Sequence, residues 1–425
     1  MTVISHNEQS VLVCGAGFGG VTSVHTLTKA GFRATLLDAN LYSTFQPLLY
    51  QVATAGLNPG DVAYPVGGVV SSRRGRRGGG AIFRRGELAT IDAGARRVKL
   101  TDGREFGYDY LILATGVTAN YFGVKGAEQN TFGLYTRRDA LVLRDHIMAG
   151  IERLSEKDGD LHVTVVGGGA TGVELAGTLA ELRKEVFRNT FPDIDPERLH
   201  VRLVEQGDAL LGPFAAPLRD YTLTQLRRRD VEVTLGAEIH EVTQDHVLLA
   251  SGDALPSDIT VWAAGVAAPD AVAGWGLPQG KHGRIRVGPD LRVHGQERIF
   301  AVGDIAVNPD DPTPQLAQPA IQMGRHAARQ IARLADGQPT VPFKYHDKGT
   351  MATIGRKSAV VQLPGVGKIG GLKIRGTLAW LAWLGLHLVY LLGGRNRIST
   401  LINLSWRYLA WGHGGGVIVG DDPQR

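Results

Sequence analysis

Hydrophobic positions fall along this chain in short runs that stop abruptly at glycine. Residues 11–14 are wholly apolar, and the run breaks at Gly15, Gly17 and Gly20 before the helix-compatible stretch 21–30. A short apolar run bounded by glycine reads as a strand buried on both faces. A second run, 34–37, ends at Asp38. The same events then recur. Residues 162–166 form a run, Gly167, Gly169 and Gly172 follow, 173–177 open a helix, and 201–204 lead to Glu205. Apolar strands also precede Ala114-Thr115-Gly116 and Ala264-Gly265, at corresponding places in the two halves. Strands alternating with helices predict an α/β chain with two doubly wound, Rossmann-like dinucleotide-binding domains.

The glycine spacing carries a specific chemistry. Gly15 permits the strand-to-helix turn, Gly17 lets backbone approach a pyrophosphate, and Gly20 lets the helix pack on the strand. The diphosphate then meets the unpaired N–H groups of the helix N-terminus. Asp38 lies 18 residues beyond Gly20, where an acid accepts from ribose hydroxyls. Glu205 lies 33 residues beyond Gly172, with Pro192 and Pro196 between, so a helical extension and a loop fill the excess. Two fingerprints predict two dinucleotides, FAD on the first copy and a nicotinamide on the second. Residues 300–306 form an apolar strand ending in Asp304, whose carboxylate suits sugar-alcohol hydroxyls. The stretch 314–330 predicts a helix with Pro319 in its first turn and Gln318 and Gln322 on one face. Taken alone, that pair is better explained as an ordinary polar helix face. Residues 45–53 read as core or as a cofactor-lining loop.

Length changes the picture next. At 425 residues the chain is too long for one ordinary domain. The expected division is a discontinuous FAD domain, 1–125 with 285–340, a NADH domain, 126–284, and a C-terminal membrane-associating region, 341–425. The single cysteine, Cys14, excludes an internal disulfide and a catalytic dithiol. The histidines are scattered, so no metal is expected. The first ten residues are polar, and the bulk of the protein is expected in the cytoplasm. The arginine-rich stretch 71–80 has no interleaved aromatics. It reads as a solvated loop or a contact for anionic lipid rather than a nucleic-acid site.

Between 348 and 420 there are nine basic residues and no acid, so the net charge of +5 resides there. Within this stretch 377–392 is apolar, yet shorter than the roughly 20 residues a spanning helix needs. Trp380, Trp383 and Tyr390 suit a bilayer interface. Residues 398–411 are amphipathic, with Thr400, Asn403 and Arg407 on one face. These features predict an in-plane anchor on anionic lipid at the cytoplasmic face of the inner membrane. A hairpin buried in a homodimer is the competing use.

The motifs together resemble the type II NADH:quinone oxidoreductases, the single-subunit NADH dehydrogenases that pump no protons, over essentially the whole chain. Both fingerprints, 45–53, Ala114-Thr115-Gly116, Val302-Gly303-Asp304 and Ala317 to Gln322 carry the resemblance. It implies a respiratory flavoprotein passing a hydride from NADH to non-covalent FAD and two electrons to a membrane quinone, menaquinone or ubiquinone. By resemblance Gly15, Gly17, Gly20, Asp38 and Asp304 contact FAD, and Thr115 and Gly116 line it. Gly167, Gly169, Gly172 and Glu205 hold NADH. Glu174 lies near flavin and nicotinamide, Gln318 and Gln322 border the quinone, and Lys373 is a looser counterpart of a quinone-site lysine. A soluble reductase of a protein acceptor and a non-enzymatic redox sensor are the alternatives.

Overall fold

The computed structural model describes residues 6–71, 79–156, 158–189, 192–365 and 371–409. The arginines between 72 and 78 and the end of the amphipathic segment, 410–411, lie outside the described residues. The strands of the two nucleotide folds are, in chain order, β1 (Ser10–Cys14), β2 (Arg33–Asp38), β3 (Gly80–Arg85), β4 (Tyr110–Leu113), β5 (Leu161–Val166), β6 (Leu199–Val204), β7 (Val231–Thr234), β8 (Ile259–Trp262) and β9 (Ile299–Ala301). The helices that bear on the sites are α1 (Phe18–Lys29), α2 (Leu49–Ala53), α3 (Ala170–Asn189), α4 (Ala317–Ala335), α5 (Thr377–Tyr390) and α6 (Gly394–Leu409).

The chain divides into two compact units. The first comprises 1–43, 64–118 and 266–347. Its sheet has the order β9-β4-β1-β2-β3, with every pair parallel. The apolar runs of β1 and β4 are buried on both faces, as parallel strands covered by helices must be. Helices α1 and α4 cross closely. A Cβ on Gly324 would lie 2.2 Å from the Gly19 carbonyl oxygen. The Ser23 hydroxyl donates to that oxygen at 2.8 Å and to the Gly324 carbonyl at 3.1 Å. This crossing holds the start of α4 in register with the start of α1. A three-stranded antiparallel meander spans Leu88 to Gly107.

The second unit comprises 44–63, 119–265 and 348–425. Its parallel sheet runs β7-β6-β5-β8. A second antiparallel sheet follows, β10 (Thr350–Gly355), β11 (Ser358–Gln362) and β12 (Lys373–Arg375). Helix α3 packs tightly on it, because a Cβ on Gly177 would lie 2.0 Å from the Ile354 carbonyl oxygen. Helix α5 lies on the same sheet, burying Ala379, Trp380 and Trp383. This corrects the expectation that both tryptophans belong to a bilayer interface: one side of the apolar helix serves the protein core. Arg395 and Arg397 lie in the first turn of α6. No helix among the described residues is long and apolar enough to cross a membrane.

Candidate functional site

The first unit assembles one set of the expected residues. Gly15 has φ +106°, and a Cβ there would lie 2.2 Å from the Ala114 carbonyl oxygen. A Cβ on Gly20 would lie 1.8 Å from the Gly15 oxygen, so both must be glycine for the loop to close. Gly17 differs: nothing lies within 4 Å of its Cβ position, at the N-cap of α1. The open space therefore sits where the helix N–H groups emerge. Asp38 clamps the rim of this loop. Its carboxylate accepts from the Ala16 N–H at 2.6 Å and the Asn40 N–H at 2.7 Å. Burial raises its pKa, against those two bonds. Each oxygen keeps a lone pair for an incoming hydroxyl.

The same unit supplies further parts. The Thr115 hydroxyl and the Gln318 amide oxygen are buried without a hydrogen-bond partner. Gly116 has φ +71° and open space at its Cβ position. Gly303 N–H donates to the Met323 sulfur at 3.3 Å, which brings the Gly303-Asp304 turn against the first turns of α4. Burial lifts Asp304 to about 6, opposed by Arg284. Gln322 behaves unlike Gln318. Its amide donates to the His346 carbonyl and accepts from the His346 N–H, both at 3.0 Å, so it ties down the chain after α4. Burial and Asp38 push the Cys14 thiol up to about 12, so it is no nucleophile at neutral pH.

The second unit repeats the first loop almost atom for atom. Gly167 has φ +108°, a Cβ on Gly172 would lie 1.9 Å from the Gly167 oxygen, and Gly169 has nothing within 4 Å. Glu205 plays the part of Asp38. Its carboxylate accepts from the Gly168 N–H and, at 2.6 Å, from the Gly207 N–H. The acid of each copy thus binds the residue after the first glycine and the residue two beyond itself. The long spacing before Glu205 is taken up by α3 and the short 3-10 turn Pro196–Arg198. Arg202 is held away by Glu232, at 2.8 Å.

Glu174 stands in the first turns of α3, buried, with its carboxylate accepting from the Thr353 N–H at 3.2 Å. Burial pushes its pKa up to about 8, while the Thr353 N–H and the Trp383 indole act in the opposite sense. The indole N–H faces the carboxylate but falls short of hydrogen-bond geometry. The Trp383 ring is stacked on His387 at 4.0 Å and tilted against Tyr50 at 6.3 Å. Burial lowers His387 to about 4, so it is neutral, with Nδ1 2.7 Å from the Trp383 carbonyl oxygen. This aromatic wall was missed in the sequence. The spacing of Trp380, Trp383 and His387, three and four apart, was the available signal of one inward face.

Among the described residues Asp160, His162 and His200 bring ligand-type atoms within 4.8 Å of one another. The two imidazoles are stacked 13° from parallel at 4.6 Å. Their in-plane lone pairs therefore do not converge on one ion.

Residues 9–324 match the family described as pyridine nucleotide-disulphide oxidoreductase. The chain is 36% identical, over 93% of its length and 87% of the relative's, to the type II NADH:quinone oxidoreductase Ndh of Mycobacterium tuberculosis. It is 37% identical to NdhA of the same organism, over 95% of this chain and 86% of the relative. The solved structure of NDH2 from Plasmodium falciparum in complex with NADH superposes with a TM-score of 0.85 at 19% identity, covering 96% of this chain and 100% of that one.

Proposed function

Because the chain belongs to the type II NADH:quinone oxidoreductases, within the pyridine nucleotide-disulphide oxidoreductase family, we propose a route by which its residues pass electrons from NADH through FAD to a quinone without pumping protons. The observation that carries the route is the doubled glycine-and-acid loop, one copy in each compact unit. Bound FAD supplies the two-electron carrier, accepting a hydride from NADH and releasing two electrons to the quinone. The residues of the first unit fit that cofactor. Open space at Gly17 and the α1 N-terminus accept the diphosphate, Asp38 the ribose and Asp304 the sugar alcohol. The orphaned Thr115 hydroxyl and the Gln318 amide oxygen await polar partners.

In the second unit Gly169 and the start of α3 accept the diphosphate of NADH, and Glu205 reads its ribose. Glu174 holds a proton at neutral pH and is assigned to deliver it to the acceptor. Gln318 borders the quinone, and Gln322 positions the chain around His346 rather than touching the acceptor. NADH, one proton and quinone enter; NAD+ and quinol leave. The purified yellow protein, stirred with NADH and a short-chain quinone, should consume absorbance at the nicotinamide band. No loss of absorbance with any quinone would leave a redox sensor as the better reading.

Glu205→Gln is expected to narrow the preference for NADH over NADPH by roughly tenfold or more, since a charged acceptor for two hydroxyls becomes a neutral one. The same change relieves the carboxylate's repulsion of a 2′-phosphate. The ratio of kcat/KM values is the readout, because the lost loop clamp lowers both cofactors together. An unchanged ratio would assign ribose reading to another residue.

The apolar side chains that α5 and α6 expose, with the acid-free basic stretch around them, support attachment to an anionic bilayer at its cytoplasmic face. The same helices also carry core, since α5 buries Trp380 and Trp383.

A further inference from the structure

Helix α6 is built inside out. On an ordinary surface helix the apolar stripe turns inward and the polar face meets water. Here Asn396, Ser399 and Asn403, spaced three and four apart, point at the loop before Ala63. The Asn396 amide donates to the Ala63 carbonyl at 2.8 Å. The Ser399 hydroxyl donates to one oxygen of Asp61 at 2.6 Å, and the Asn403 amide to the other at 2.6 Å. Asp61 is only 7% exposed, while Ile398 and Ile402 on the far side are 62% and 58% exposed. Leu401 is exposed beside them, and Leu378 and Val389 continue the apolar surface on α5.

A buried carboxylate cannot be left without donors. Both bonds that it accepts from α6 are charge-assisted. Without them the helix would gain by rolling its isoleucines inward. We propose that the Asp61 carboxylate is the latch that fixes α6 with its apolar side outward, toward the anionic bilayer of the membrane reading above. The lipid assignment rests on the membrane reading above; the latch does not. Charge favours lipid over a second copy of the chain, since the stretch from 348 to 420 holds nine lysines and arginines and no acid and would repel its own twin.

The test uses full-length, FAD-bound protein and vesicles of equal parts phosphatidylcholine and phosphatidylglycerol, read by flotation. Wild type should float with the vesicles. Asp61→Ala should bind them roughly tenfold more weakly, the worth of a lost hydrogen bond to a charged group. Amide hydrogen exchange over 394–405 should quicken at the same time. Asp61→Asn should keep most of both binding and protection, because its amide oxygen can accept from the Asn403 amide while its N–H donates to the Ser399 hydroxyl. That conservative variant separates a latch from a general loss of folding, and an Asp61→Asn protein as weak as Asp61→Ala would overturn the latch. If wild type floats and Asp61→Ala matches it in binding and exchange, the latch is wrong and the membrane reading stands. If wild type ignores the vesicles, and Leu401→Glu splits a dimer, the face pairs two copies and the lipid assignment falls.

Discussion

A Gly17→Ala variant is expected to fold as its parent does and to purify almost colourless. The expectation rests on a contrast between neighbouring glycines. Gly17 has an extended backbone, φ −77° and ψ −169°, that alanine adopts freely. Nothing in the protein lies within 4 Å of the added methyl. Compared without flavin, the two proteins should therefore differ in stability by less than about 0.5 kcal/mol, as for a surface substitution. The space is left for the diphosphate, and a methyl there pushes it off the α1 N-terminus. FAD affinity should fall roughly a hundredfold, about 2.7 kcal/mol. Gly15→Ala gives the opposite pattern. Its Cβ would lie 2.2 Å from the Ala114 oxygen at φ +106°, so it should fail in folding rather than in binding. Flavin absorbance per protein and the thermal midpoint separate the two effects. A Gly17→Ala protein that stays fully yellow would remove FAD from this loop. The twin change, Gly169→Ala, should keep the flavin and raise KM for NADH.

Much of this site was legible because its chemistry is local. The positive φ at Gly15, the approach at Gly17 and the packing of Gly20 on the Gly15 oxygen lie within ten positions, so spacing alone predicts them, while the press of Ala114 on Gly15 comes from far along the chain. Glu205 was legible for a different reason. It ends an apolar strand, and β6 delivers it to the Gly168 N–H whatever the length of chain between. What the sequence hid is side-chain direction across long separations. The run 377–392 is apolar on every side, so its hydropathy does not tell which tryptophans face inward. Packing on β11 decides, and it buries Trp383 beside Glu174. Gln318 and Gln322 look alike on a helical wheel, but only the three-dimensional path of 345–347 occupies the amide of Gln322. Asp61 gave no sign at all, because its partners lie more than 330 residues away.

Replacing Glu174 by glutamine is expected to make the protein more stable in alkali and slower with quinone. Burial lifts the Glu174 pKa from 4.5 to about 8. Below pH 4.5 the group is protonated folded and unfolded, and it contributes no pH dependence. Between about 4.5 and 8 the unfolded chain releases this proton while the folded one retains it. The unfolded state then binds fewer protons, so stability falls as pH rises through that window. Above about 8 the loss levels off, at up to about 5 kcal/mol from a shift of this size. Glutamine keeps an oxygen for the Thr353 N–H and carries no charge to bury, so this group's contribution to the slope should vanish. Unfolding free energies of the two proteins should come closest below about pH 4 and differ by several kcal/mol near pH 9. Turnover with quinone should move the other way, falling roughly a hundredfold or more, as when a positioned acid is removed. The opposite signs are the useful part. A carboxyl kept only for packing would give the gain in stability with no loss of rate, and that result would end the assignment of Glu174 as the proton donor. A carboxyl that protonates the acceptor explains why the fold retains a buried acid that weakens it across the neutral range.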